Sequence, residues 1–141
     1  METEVKRSWM SEMADRMAPR THTIVWRRFT LSASHCLPGH PKCGQMHGHN
    51  YVIELGIEGP VIDGMVVDFG SLKDIFVAVI EKRYDHTNLN QFEELKMPTA
   101  ENMAAAIAGL LREPMQALRP ARLAMVRIYE TENCWVEYVL Q

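Results

Sequence analysis

The sequence predicts an α+β fold: an antiparallel four-stranded sheet, covered on one face by two helices, in the order β-β-α-α-β-β. Three observations carry this. Two segments before residue 60 alternate apolar and polar residues with period two. Two segments between residues 71 and 111 carry apolar stripes at helical spacing. Two further strand-like segments follow residue 121. Strands and helices are thus segregated along the chain rather than alternating, which disfavours a parallel α/β sheet.

Residues 1–22 form a charged, Met-rich extension, and residues 23–141 a single domain. In the extension Trp9, Met10, Met13 and Met17 stand at helical spacing. A short amphipathic helix and a frayed tail are both open readings there. Residues 23–35 read as the first strand, with Phe29, Leu31 and Ala33 alternating with Thr30, Ser32 and Ser34. Residues 36–46 hold Pro38, Gly39, Pro41 and Gly44 and read as a loop. In residues 47–58 Tyr51, Ile53, Leu55 and Ile57 share one face, with Glu54 and Glu58 on the other. Gly59-Pro60 and Asp63-Gly64 mark a turn, followed by a short extended segment over 65–67. Leu72, Ile75, Phe76, Val79 and Ile80 predict a helix over 71–83, with Asp68 in a position to cap it. Residues 84–97 are irregular. The second helix starts after Pro98 with Thr99 as its N-cap, and Met103, Ile107, Leu110 and Leu111 form its stripe. The last strands lie near 122–130 and 134–140.

Bulk composition narrows the function. A chain of 141 residues, 47% hydrophobic, is long enough to bury the core of one ordinary domain. A net charge of −3, from 15 basic and 18 acidic residues, gives no broad attraction to nucleic acid or to an anionic membrane. It leaves room for a local basic pocket that takes a phosphorylated substrate. No apolar run approaches the roughly 18–20 residues of a membrane span, and the first twenty residues lack a signal-peptide core. A cytoplasmic location is therefore expected. Three cysteines, Cys36, Cys43 and Cys134, are too few and odd in number for a disulfide framework.

Four of the six histidines crowd into positions 35 to 49. His47-Gly48-His49 opens a strand, and side chains two apart on a strand share a face. His35 ends the preceding strand on the parity of Phe29, Leu31 and Ala33. If the two strands pair as a long hairpin, His35 meets His47 and His49. Three neutral imidazoles leave the fourth position of a tetrahedral Zn2+ open, as in catalytic rather than structural sites. Imidazole also suits copper, nickel and iron. Taken singly, each histidine is as well explained as a surface or core residue; the grouping is what favours a metal. His40 reads as a surface loop residue with a substrate role as the lesser alternative, and His22 as a residue without a specific role.

Three further groups have chemical potential. Cys43, in the Gly-rich loop four residues before His47, reads either as a thiolate base or nucleophile or as a small buried hydrophobe. Asp85-His86 reads either as a carboxylate fixing an imidazole's tautomer or as two solvated loop residues. Glu130, at a strand end, suits two parallel N–H bonds from an amidine-like ring edge, or is an ordinary strand-end charge.

In order along residues 24 to 140 stand His35, Cys43-Gly44-Gln45-Met46-His47-Gly48-His49-Asn50, Gly64-Met65-Val66-Val67-Asp68-Phe69, Asp85-His86-Thr87-Asn88-Leu89-Asn90, Pro98-Thr99-Ala100-Glu101-Asn102 and Tyr129-Glu130-Thr131. This series resembles the family of 6-pyruvoyltetrahydropterin and 6-carboxytetrahydropterin synthases. The resemblance implies the tunnelling fold, in which four-stranded sheets of neighbouring subunits join into a barrel. It implies self-association into trimers or hexamers with active sites between subunits, and a small-molecule pterin triphosphate as substrate. His35, His47 and His49 match the family's zinc ligands. Cys43 matches the catalytic cysteine, and Asp85 with His86 the catalytic pair. Glu130 matches the glutamate that anchors the pterin ring, and Thr99 and Glu101 fall in a segment lining the pterin pocket. The implied chemistry is an internal redox rearrangement with loss of triphosphate. It needs no nicotinamide or flavin, in keeping with a chain that lacks G-x-G-x-x-G and P-loop patterns.

Within the family, the three-residue spacing between Cys43 and His47 resembles the 6-carboxy enzymes of queuosine and 7-deazaguanine biosynthesis. The segment Tyr129-Glu130-Thr131-Glu132-Asn133 resembles the tetrahydrobiopterin-type enzymes at least as well. The loop carries more weight because it positions the cysteine. Outside the family, a zinc hydrolase would need the histidines without Cys43, and a zinc-stabilised structural oligomer would need neither Cys43 nor Asp85-His86.

Overall fold

Strand β1 (Thr23–His35) and strand β2 (His47–Gly59) pair antiparallel along their full length, Thr23 opposite Gly59 and His35 opposite His47. The long hairpin anticipated from period two is therefore present. The computed structural model describes Trp9 and residues 22–141. The choice between a helix and a frayed tail for the extension falls outside the described residues. One face of the hairpin presents Leu31, Tyr51, Ile53, Leu55 and Ile57, all buried.

That face is covered by two helices. Helix α1 (Phe69–Phe76) starts where Asp68 accepts hydrogen bonds from Gly70 N at 2.7 Å and Ser71 N at 3.3 Å. This cap places the start two residues earlier than the apolar stripe suggests. The helix continues through a π-turn, Val77–Glu81, and a last α-turn, Lys82–Tyr84. Leu72, Phe76, Ile80 and Tyr84 are all buried. In a regular α-helix each step of four residues drifts about 40° round the axis. Three such steps would swing Tyr84 about 120° from Leu72, and the residue the π-turn inserts returns about 100° of that. Helix α2 (Ala100–Leu111) is capped by Thr99, whose hydroxyl accepts from Asn102 N at 3.2 Å. Its buried face is Met103, Ala104, Ile107, Ala108 and Leu111.

The irregular segment between the helices contains strand β3 (Thr87–Asn88), which pairs parallel with β1 at Ala33 and Ser34. Strand β4 (Arg122–Thr131) pairs with β2, and strand β5 (Cys134–Val139) with β4, both antiparallel. The sheet order is β3-β1-β2-β4-β5. The expected four-stranded antiparallel sheet is thus extended by a fifth strand, two residues long and parallel. A strand that short has no period to read. Glu94 clasps the segment to the end of α1, accepting at Oε1 from Arg83 Nε and Tyr84 Oη, both at 2.7 Å. Among the described residues no helix is long and apolar enough to cross a membrane.

Candidate metal centre

Each inward-facing stripe changes character at the same end of the sheet. On β1 it runs Phe29, Leu31, Ala33, His35, and on β2, read backwards, Ile53, Tyr51, His49, His47. On β4, Val126 and Ile128 are followed by Glu130. Register alone therefore gathers three imidazoles and a carboxylate at the rim of the apolar core.

The ring centroids of His35, His47 and His49 lie 4.6, 5.0 and 4.8 Å apart, and one nitrogen from each lies within 4.8 Å of the others. His35 is fully buried, and its Nδ1 donates to the Pro98 carbonyl at 2.8 Å. His47 Nδ1 donates to the Gln45 carbonyl at 2.7 Å. A carbonyl only accepts, so both rings carry their hydrogen on Nδ1 and turn a lone pair outward on Nε2. These two Nε2 atoms stand 3.0 Å apart. Two facing lone pairs repel unless a proton or a cation stands between them. A tetrahedral metal with nitrogens at 2.0–2.1 Å would set them about 3.3 Å apart. The buried His49 Nε2 makes no well-formed hydrogen bond, although Glu130 Oε1 lies 3.2 Å away. Burial holds His49 below its usual range against the opposing pull of Glu130. A neutral imidazole is the form that binds metal. The residues fit a divalent ion held by three nitrogens, with backbone carbonyls orienting two of them.

Asp85 and His86 are fastened to β1 by a reciprocal pair. Ser32 N donates to Asp85 Oδ1 at 2.9 Å, and His86 N donates to the Ser32 carbonyl at 2.6 Å. His86 adopts φ 58°, a left-handed backbone uncommon outside glycine, which these two bonds hold in place. Its Nδ1 lies 2.9 Å from Asp85 Oδ2, so the neighbouring side chains do meet. Burial raises Asp85, but the Ser32 amide and His86 outweigh it and hold the carboxyl below the ordinary range. The exposed His86 ring and His49 line one open cleft with Ser32 and Asn50. Thr99, Glu101 and Glu130 line a second cavity, of about 500 Å³, together with Leu37, Cys134 and Trp135.

Cys43 is half-buried in the loop between β1 and β2, and all three cysteines are free. His40 is not a bystander: its Nδ1 accepts from Lys42 N at 3.2 Å and Cys43 N at 2.8 Å. His22 also has a partner, with Nδ1 at 3.0 Å from Glu58 Oε1. Tyr51, whose Oη stands 3.2 Å from His35 Nδ1, was not singled out by the sequence. Its signal was present: it is the one polar atom in the stripe that ends in His49 and His47. Ser32 acts mainly through its backbone, which no residue type announces.

Comparison with known proteins closes the question of family. Residues 24–141 match the family model described as 6-pyruvoyl tetrahydropterin synthase. A protein of Archaeoglobus fulgidus, provisionally named a 6-carboxy-5,6,7,8-tetrahydropterin synthase, is 42% identical over 81% of this chain and 93% of its own. The 6-pyruvoyl tetrahydrobiopterin synthase of Dictyostelium discoideum is 35% identical over 82% of this chain and 94% of its own. The solved structure of the Caenorhabditis elegans 6-pyruvoyl tetrahydropterin synthase superposes with a TM-score of 0.77 at 28% identity, covering 86% of this chain and 97% of that one. The fold is the tunnelling fold, and the chain belongs to the 6-pyruvoyl tetrahydropterin synthase family.

Proposed function

We propose that this chain is a zinc-dependent 6-carboxy-5,6,7,8-tetrahydropterin synthase, a lyase of queuosine and 7-deazaguanine biosynthesis. With one water it converts 7,8-dihydroneopterin triphosphate to 6-carboxytetrahydropterin, acetaldehyde and triphosphate. The observation that carries this reading is the convergence of His35, His47 and His49, with Glu130 Oε1 3.2 Å from His49 and His86 lining an open cleft that His49 also lines. When bound, zinc supplies Lewis acidity to the hydroxyls of the substrate side chain and acidifies the neighbouring C–H. Cys43 takes or relays that proton as a thiolate. His86, its ring oriented by Asp85, exchanges a second proton. Glu130 accepts from the 2-amino-pyrimidinone edge of the pterin, with Thr99 and Glu101 lining the same cavity. The protomers assemble into trimers or hexamers, and the sites lie between subunits in the cytoplasm. Exposed Trp135, Tyr138 and Val139 on the edge strand β5 support such assembly, since an unpaired apolar edge invites another strand.

The 6-carboxy product is preferred because only three residues separate Cys43 from His47. The 6-pyruvoyl product is the second reading, supported by Tyr129-Glu130-Thr131-Glu132-Asn133 and by the Dictyostelium relative. Mass spectrometry of products from the zinc-loaded protein and 7,8-dihydroneopterin triphosphate separates the two. Carboxytetrahydropterin with acetaldehyde is expected. A pyruvoyl product would transfer the chain to the second reading. No turnover with zinc bound would end both and return the weight to a zinc hydrolase or a zinc-stabilised oligomer.

A further inference from the structure

The loop that carries Cys43 is wound into a single helical turn, and its cap is unusual. Gly44 N donates to the His40 carbonyl at 2.9 Å, closing an i to i+4 bond. His40 is therefore the N-cap residue of the turn and Pro41 its first residue. Proline is favoured there because its missing N–H would have no partner in any case. The next two amides, Lys42 N and Cys43 N, would be left without acceptors. His40 Nδ1 accepts both. Serine, threonine, aspartate or asparagine normally fills this role. Gly44 completes the winding, since a Cβ there would stand 2.5 Å from the His40 carbonyl oxygen. The turn is tied back to the end of β1, because Leu37 N donates to the Cys43 carbonyl at 2.7 Å. Cys43 is thus held on both sides, at its amide by an imidazole and at its carbonyl by the chain leaving β1.

We propose that His40 is the positioning residue for Cys43. By capping the turn through Nδ1, it fixes the backbone from which the Cys43 thiol reaches the substrate. This rests on the reading of Cys43 as the reacting thiol. His40 itself does not touch substrate. It acts through the cysteine, so its removal misplaces a proton-transfer group without removing a metal ligand or a ring-binding group.

The test compares His40→Ala, His40→Asn and Cys43→Ala in the full-length zinc-loaded protein, measuring kcat, KM and bound zinc. For His40→Ala, kcat falls about ten- to a hundredfold, the scale of a misplaced catalytic group, while KM and zinc content stay at the wild-type level. His40→Asn recovers most of that loss, because its Oδ1 accepts from the same two amides. Should His40→Ala fail to fold, His40→Leu replaces it under the same criteria. The proposal is overturned by a non-accepting variant with wild-type kcat, by a loss that tracks lost zinc or a raised KM, or by an Asn variant no better than Ala. Wild-type activity in Cys43→Ala would instead remove the reading of the thiol itself, and the proposal with it.

Discussion

On the sheet face turned away from the helices, Arg28 donates to Glu54 Oε2 through Nε at 3.2 Å and Nη2 at 3.0 Å. Arg127 donates to Glu137 at 2.7 Å, lies 3.9 Å from Glu54 Oε1 and stacks 4.1 Å over the Trp26 ring. On the helix-facing side, at the end of the same strands, His35 and His47 meet nitrogen to nitrogen at 3.0 Å and His49 Nε2 has no well-formed hydrogen bond. The first cluster is balanced in charge, each group facing its opposite or an aromatic ring, although Glu54 Oε1, like His49 Nε2, is buried without a hydrogen-bond partner. The second is complete only when a cation joins it. Both are polar groups on one sheet, and only the uncompensated set points outward to chemistry. What marks the functional cluster here is two acceptor nitrogens brought face to face, not polarity, burial or a single unpaired atom, which both clusters contain.

Breaking the uncompensated cluster should have the largest effect. His49→Ala is expected to lower metal affinity by more than about 100-fold, beyond the range of losses seen when only an outer-shell partner is removed. Activity should fall to background with the fold retained, as read by metal analysis beside circular dichroism. Retention of full metal content would sink the three-histidine assignment. Cys43→Ala should cost on the order of 10³-fold in kcat, within the range for a lost acid–base group, while sparing metal and assembly. A metal hydrolase would largely survive it.

Asp85→Asn sharpens the comparison from between the two clusters. A loss of about 100-fold in kcat is expected if Asp85 orients His86. Stability should also report it. The folded-state pKa of Asp85 lies below its unfolded value, so its ionised form stabilises the fold above about pH 4 and the contribution is lost as pH falls through the folded value. Tm measured from pH 7 down to pH 3 should therefore fall more steeply for wild type than for Asp85→Asn. Parallel curves would contradict the hydrogen bonding described. The smallest effect belongs to the charge-balanced face. Arg28 is 67% exposed, so Arg28→Ala should cost about 1 kcal/mol or less and leave kcat unchanged.

Much of this was legible because it depends on parity and spacing. Period two placed His35, His47 and His49 on one face, and the hairpin register did the rest. The caps at Asp68 and Thr99 were readable because short oxygen side chains there have a known local role. Other features depend on geometry that residue types do not announce. The approach of Glu130 to His49 requires the β2–β4 register, which shifts between Gly56 and Ile57. The contact of Asp85 with His86 requires a left-handed histidine held by the backbone of Ser32. His40 went unread as a cap because imidazole is a rare occupant of that position. The π-turn was invisible because Val77–Glu81 continues the same apolar run.

That widened turn has a consequence for how the molecule tolerates change. Helix α1 delivers Tyr84 to the core and Asp85 to Ser32 one residue out of phase with its own first turn. Its length is therefore counted in angle as much as in ångströms. Deleting a single residue within Val77–Glu81 would restore an unbroken α-ladder and strengthen the helix locally. It would also leave everything downstream in phase, because the residue removed is the one the widened turn absorbs; deleting a residue from the regular part of the helix would instead swing the Asp85-His86 pair by about 100°, off the strand that holds it. The helix is a clock hand that can lose one tick at the widened turn and none elsewhere.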